Sequence, residues 1–205
     1  MNYTKIYKNK KILVTGHTGF KGFWLILWLK KMGAEIYGIS LNKHNNKSKK
    51  IIYFYNKNIK NFYFDITSFK KTSEVILKIK PDFIFHLAAQ AIVSDSYKKP
   101  KQTWLTNVIG TQAVLESLRV LNSKCICIFI TSDKCYENNE LIRGYKESDR
   151  LGGSDPYSSS KASCELLIKS YYESFFSKHN KIKIATARAG NVIGGNDWSE
   201  LRLMP

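Results

Sequence analysis

Lys11-Ile12-Leu13-Val14-Thr15-Gly16-His17-Thr18-Gly19-Phe20-Lys21-Gly22 decides the reading of the fold. The run Ile12 to Val14 is apolar, Thr15 ends it, and three glycines follow at a spacing of three. An apolar helix begins near Phe23. This is the pattern of strand, glycine turn and helix. Gly16 permits the tight turn, Gly19 carries no Cβ that would hold a diphosphate off the backbone, and Gly22 lets helix and strand approach closely. The first-turn amides and the helix dipole then face the anion. A glycine triplet alone is a weak signal. Its position strengthens it, because a doubly wound sheet has its phosphate turn at a strand-helix junction one strand in from the start.

Working outward, Gly33 ends the first helix and Glu35 to Ser40 reads as a second strand. A dinucleotide-binding unit usually has an acid near this strand end to hold the ribose hydroxyls. Here Ser40, Leu41, Asn42 and Lys43 follow. Asn42 can bond a ribose and Lys43 can tolerate a 2′-phosphate, so the choice between NAD and NADP stays open on these residues. Phe62 to Phe64 is a third strand closing on Asp65 and Ile66. Asp65 is suited to an adenine amino group or to capping the next helix. That helix spans about Ser68 to Ile79, with Phe69, Val75, Ile76 and Ile79 on one stripe.

Phe83 to Ala89 is a continuous apolar fourth strand, as a buried parallel strand should be. Its small end, Ala88-Ala89, lets a ligand lie close, and His86 reads as a satisfied strand residue. A long helix from Thr103 to Leu121 carries Asn107, and Cys125 to Thr131 is a fifth strand. Ser132-Asp133-Lys134 follows it at the carboxyl edge of the sheet, where ligands bind in open α/β folds. After a polar loop from Asn138 to Pro156, Tyr157-Ser158-Ser159-Ser160-Lys161 opens a helix reaching Phe176. Tyr157 and Lys161, four apart, share one face. A neighbouring ammonium favours a phenolate. Ile182 to Arg188 is a sixth strand. The expected fold is α/β, a Rossmann-like doubly wound parallel sheet in the order 3-2-1-4-5-6.

Composition bounds the function. The chain has 205 residues, enough for one good α/β domain. The polar start carries no signal peptide, and the longest apolar run, Phe23 to Leu29, is far too short to span a bilayer. That run reads as the first helix, buried between sheet and neighbouring helices. The expectation is a cytoplasmic protein with no membrane partner. Four cysteines lack a CxxC pair, and Cys125 and Cys127 alternate onto one strand face, which fits reduced core thiols rather than metal ligands. The net charge of +17 is spread over scattered lysines. The one dense patch, Lys43 to Lys50, has no interleaved aromatics, so no nucleic-acid partner is expected. Part of the basic field attracts a nucleotide diphosphate.

Together, Thr15-Gly16-x-x-Gly19-x-x-Gly22, Asp65-Ile66, His86-Leu87-Ala88-Ala89, Ser132 and Tyr157-x-x-x-Lys161 resemble the extended short-chain dehydrogenase/reductase family that acts on nucleotide sugars. The likeness covers nearly the whole chain. Val14 to Gly22, Thr106 to Thr111, Thr131 to Lys134, Leu151 to Tyr157 and Ala187 to Gly195 with Asp197-Trp198 are similar to the family's 4,6-dehydratases, those that take CDP-linked glucose. Ser132-Asp133-Lys134 is the most telling stretch, since epimerases of the family usually carry small non-ionisable residues after the serine. Ser94 and Asp95 depart from the pattern, which has basic residues there.

The resemblance implies NAD as cofactor, against Gly16, Thr18, Gly19, Phe20, Gly22, Asp65, Ile66, Leu87, Ala88, Ala89, Tyr157 and Lys161. It implies Tyr157 as the base on the sugar 4-hydroxyl, Lys161 as its partner and Ser132 as a donor to the reacting oxygen. Asp133 is then the general acid, and Lys134 stands at the C5 base position. The substrate contacts implied are Gln90, Asn107, Asn191 and Arg202. A homodimer through the helices of Asn107 and Tyr157 is implied as well. On this reading residues 1–190 form the NAD(P)-binding domain, and 191–205 begin a substrate-binding lobe that lies largely beyond Pro205. The alternatives are another nucleotide-sugar dehydratase or epimerase, or an inactive dinucleotide-binding remnant.

Overall fold

The computed structural model describes residues 4–41, 59–140, 142–178, 180–195, 197 and 199. Asn42, Lys43, the basic patch to Lys50 and Arg202 lie outside the described residues. A short helix α1 (Thr4–Tyr7) leads into β1 (Lys11–Thr15), α2 (Phe20–Lys31), β2 (Glu35–Ser40) and β3 (Lys60–Tyr63). Next come α3 (Phe69–Ile79), β4 (Phe83–His86), α4 (Val93–Lys98), α5 (Pro100–Trp104) and α6 (Gly110–Arg119). β5 (Cys125–Ile130), α7 (Pro156–Tyr171) and β6 (Ile182–Ala187) complete the order. The six strands form one sheet ordered β3-β2-β1-β4-β5-β6, every neighbouring pair parallel. The expected topology is present.

The apolar strands feed two cores, one on each face of the sheet. In β1, Leu13 points into a cluster with Ile39, Ile76, Ile84, Val114 and Leu115. Its neighbours Ile12 and Val14 point into the other, with Ile26, Leu29 and Ile36. Successive strand side chains alternate between faces, so a strand covered on both sides must be apolar throughout.

Helix boundaries differ from the sequence expectations in informative ways. α2 starts at Phe20, three residues earlier than the apolar run. It buries Gly22, Phe23, Ile26 and Leu29 at helical spacing, while Trp24 and Trp28 are 49% and 62% exposed. The run is therefore not buried all round. α3 buries Thr72, Val75, Ile76 and Ile79, but Phe69 on its first turn is half exposed. The long helix from Thr103 is interrupted by a π-helical turn at Leu105–Ile109. Directly after that turn Gly110 passes Ile66 so closely that a Cβ would stand 2.7 Å from the isoleucine Cγ2. β4 stops at His86: the Leu87 amide still reaches the Thr15 carbonyl at 3.1 Å and shares the Thr15 hydroxyl at 3.2 Å, while the Ala88 amide turns to that hydroxyl, at 3.1 Å. Asp65 does not cap α3, whose N-cap is Ser68. It closes a local turn instead, its Oδ1 accepting from Thr67 N and Oγ1 at 2.9 Å each.

Candidate active site

Two clefts open side by side at the carboxyl edge of the sheet. The first, about 260 Å³, is bounded by the glycine turn, by Leu41, Phe64, Asp65 and Ile66, and by Leu87, Ala88 and Ala89. Gly16 has φ +72°, and a Cβ there would stand 2.9 Å from Ala88 N. A Cβ on Gly22 would stand 2.3 Å from the Gly16 carbonyl oxygen. Gly22 thus admits the turn's own backbone, a closer requirement than helix against strand. No side chain caps the N-terminus of α2, so the first-turn amides are left to backbone and ligand. The donors, the dipole and the glycine-only geometry fit a dinucleotide diphosphate.

Thr15 sets the wall opposite the turn. Its hydroxyl accepts from the Leu87 and Ala88 amides, so its own proton goes to His86 Nδ1, 2.8 Å away. His86 Nε2 therefore carries the ring proton and donates to Thr111 Oγ1 at 3.2 Å. Thr111 in turn donates to the Asn107 carbonyl at 2.6 Å. Burial, and then the Lys161 charge, lower the His86 pKa to about 3. His86 is a neutral structural strut, as its strand position implied.

The second cleft, about 560 Å³, meets the first at Phe20, Lys21 and Ala91. Ser132, Lys134 and Tyr157 face it, with Asn191, Val192 and Ile193 along one wall. Asp155 positions the tyrosine. As N-cap of α7 its Oδ1 accepts from Tyr157 N at 2.9 Å and Ser158 N at 3.0 Å, with Pro156 at the first helical position. That pairing of an acidic cap and proline was readable in the sequence. Lys161 lies one turn on, buried, its Nζ donating to the Ile130 carbonyl at 3.4 Å. Burial pushes its ammonium below the usual lysine range. Ser132 Oγ accepts from Lys134 N and donates to Asp133 Oδ1, both at 3.2 Å.

Three expected site residues sit differently. Asp133 lines a larger neighbouring cavity and pairs with Lys134 Nζ at 3.3 Å; Lys134 lines both spaces. Asn107 is not open to a substrate. It is 1% exposed, with Oδ1 accepting from Gln90 N at 2.8 Å and Nδ2 donating to Gln90 O at 3.1 Å and Ser160 Oγ at 2.8 Å. Its amide is used up fastening residue 90 to α7. Gln90 itself donates to the Ile92 carbonyl at 2.9 Å and lines neither cleft.

A buried ionic network at the wall of the larger neighbouring cavity was missed in the sequence. Glu165 and Arg188 pair at 2.9 Å with side chains 5% and 16% exposed. Thr131 Oγ1 donates to Glu165 Oε1, and Thr186 Oγ1 to its Oε2 at 3.2 Å. Arg188 also reaches the Tyr136 hydroxyl at 2.9 Å and the Glu147 carbonyl at 3.0 Å. Its hydrogen bond to Glu165 holds the guanidinium pKa above its usual value. The available signal was spacing: Glu165 follows Lys161 by four, on the same helical face.

A doubly wound parallel sheet with an uncapped glycine turn, and with a tyrosine and lysine on one helix beside it, is a Rossmann-like α/β architecture. Residues 13–191 match the family described as GDP-mannose 4,6 dehydratase, and the chain belongs to that family. It is 43% identical over 203 residues to the CDP-glucose 4,6-dehydratase of Salmonella typhimurium, covering 97% of this chain and 56% of that protein. The chain thus spans about half the length of the curated relatives it matches. Among solved structures, epimerase Mth375 of Methanothermobacter thermautotrophicus superposes with TM-score 0.75 at 24% identity, over 92% of this chain and 53% of that one. The UDP-glucose 4-epimerase of Brucella ovis in complex with NAD gives 0.73 at 22%, over 87% and 51%. At these identities the two structures establish the fold.

Proposed function

We propose that the chain forms the cofactor-binding and proton-transferring half of a nucleotide-sugar 4,6-dehydratase that converts CDP-glucose to CDP-4-keto-6-deoxyglucose. The observation that carries this is the second cleft, where Ser132, Lys134 and Tyr157 face the same space as Phe20 and Lys21 of the glycine turn. The 43% identity to a CDP-glucose 4,6-dehydratase supports the substrate. NAD is the cofactor proposed, held by the glycine turn, Asp65, Ile66 and the Leu87–Ala89 wall; the nicotinamide, when bound, takes two electrons and a hydrogen from the sugar and later returns them.

Tyr157, as phenolate, takes the 4-hydroxyl proton, and Ser132 donates to the oxygen that becomes the ketone. Lys161 stabilises the phenolate. The ketone acidifies C5–H. Lys134, once neutral, takes that proton while Asp133, once protonated, gives its own to the departing 6-hydroxyl, which leaves as water and creates the C5–C6 double bond. In the described structure Asp133 and Lys134 pair with each other, so these two roles require the pair's proton to move from the ammonium to the carboxylate and the sugar to come between them. Asn191 is a substrate contact in the same cleft. Residues 1–190 are the NAD-binding domain, and 191–205 begin the substrate lobe.

Exposed Leu105, Ile109, Leu166, Tyr172 and Phe175 on the helices around Asn107 and Tyr157 suit a second copy of the chain, which sedimentation analysis tests. The four buried free thiols suit a reducing, cytoplasmic setting. Among the described residues no helix is long and apolar enough to cross a membrane. The decisive experiment incubates the chain with NAD and CDP-glucose and assays for an alkali-sensitive 4-keto product. Dinucleotide binding without product, alone and with other nucleotide sugars, assigns the chain to cofactor binding only and overturns the dehydratase reading.

A further inference from the structure

Among the residues that line both clefts, Phe20, Lys21 and Ala91, only Lys21 is charged. It stands in the first turn of α2, between the second and third glycines of the turn. Its charge reaches the catalytic lysine: after burial, which acts most strongly, the Lys21 ammonium is one of the groups that push Lys161 toward its neutral form. A dinucleotide seated on the glycine turn, its adenine end toward Asp65, must send its other end past Lys21 to reach Tyr157 in the second cleft.

We infer that Lys21 biases the bound nicotinamide toward its reduced form, an inference that rests on the cofactor reading above. The physical reason is charge. The oxidised nicotinamide ring carries a positive charge and the reduced ring is neutral, so a fixed ammonium at the junction of the clefts repels one and not the other. In the balance of the first step, the sugar C4 loses two electrons and a hydrogen to the ring, and the 4-hydroxyl proton goes to Tyr157. A ring that favours the reduced state keeps the 4-keto sugar in place while water is eliminated. A lysine gripping the diphosphate instead would strengthen both redox forms equally, because the diphosphate is common to them.

The full chain is titrated separately with NAD and NADH, by fluorescence or calorimetry, as wild type, Lys21→Met and Lys21→Arg. Lys21→Met is expected to lower the ratio Kd(NAD)/Kd(NADH) about tenfold, the scale of one partly screened unit charge at close range. Lys21→Arg keeps the charge and is expected to keep the ratio. Equal weakening of both dinucleotides, or no change in either, overturns the inference. If circular dichroism shows Lys21→Met to be unfolded, Lys21→Gln carries the same expectation. A wild-type chain that binds neither dinucleotide overturns the cofactor reading itself, a result distinct from an unchanged ratio.

Discussion

The two clefts are made of different material. The first has a backbone floor, a glycine turn and a helix N-terminus with no side-chain cap, with the apolar side chains of Leu41, Phe64, Ile66 and Leu87 around it. The second sets Ser132, Lys134 and Tyr157 among aliphatic side chains, and next to it a buried ion pair ties α7 to the ends of β5 and β6. The contrast teaches how each kind of site is held. A backbone cradle is fixed by close approach, and any added atom fills it. A cleft of side chains has no such rigidity of its own and depends on how firmly the helix that carries them is held. The Glu165–Arg188 pair is placed to brace that helix: Glu165 is one turn beyond Lys161 and two turns beyond Tyr157 on it.

The contrast can be broken most forcefully at Tyr157. If the proposed dehydratase reaction holds, Tyr157→Phe is expected to lower turnover of CDP-glucose about 1,000-fold while leaving NAD binding largely intact, because only the phenol hydroxyl is removed. Retained turnover, measured under saturating cofactor, would show that the phenol takes no proton. Next in size is the brace. Glu165→Ala leaves Arg188 buried without its carboxylate and is expected to cost about 3–5 kcal/mol in urea unfolding. A loss below about 1 kcal/mol, the range of an exposed pair, means that water replaces the carboxylate and that the pair does not brace α7.

Gly22→Ala tests the backbone cradle. Its Cβ would stand 2.3 Å from the Gly16 carbonyl, so about 3 kcal/mol of destabilisation and lost dinucleotide binding are expected. Gly144 has nothing within 4 Å, and Gly144→Ala is the control, expected within about 0.5 kcal/mol of wild type. The smallest effect is the pH dependence of His86. Its folded pKa of about 3 lies below the unfolded value, so the unfolded chain binds the proton first and stability falls as pH drops below about 6.5. Between pH 7 and pH 5 this amounts to about 2 kcal/mol. His86→Gln should remove that slope in urea titrations, and an unchanged slope assigns it to other groups.

Much of this was legible along the chain. The continuous apolar character of Ile12 to Val14 and of Phe83 to Phe85 announced strands covered on both faces, and the strand order followed from the alternation of elements. Spacing and place after strands singled out Tyr157, Lys161 and Ser132, and the fold brings Ser132 and Tyr157 to one cleft. Asn107 was misplaced because its sequence position gives no sign of which groups its amide meets; only the approach of residue 90 to α7 shows that it is used up. Trp24 and Trp28 looked buried because an apolar run does not say which helical face the sheet covers.

What the sequence settled alone is local. Glycine spacing, strand periodicity and the four-residue step from tyrosine to lysine all depend on bonds and angles within a few residues, and these are the same in any context. The pairing of Glu165 with Arg188, the Thr15–His86–Thr111 relay and the meeting of two clefts at Lys21 were decided by the tertiary structure. Each joins groups more than 20 residues apart. Whether such groups meet depends on how the sheet twists and where the helices settle on it, which no single stretch encodes.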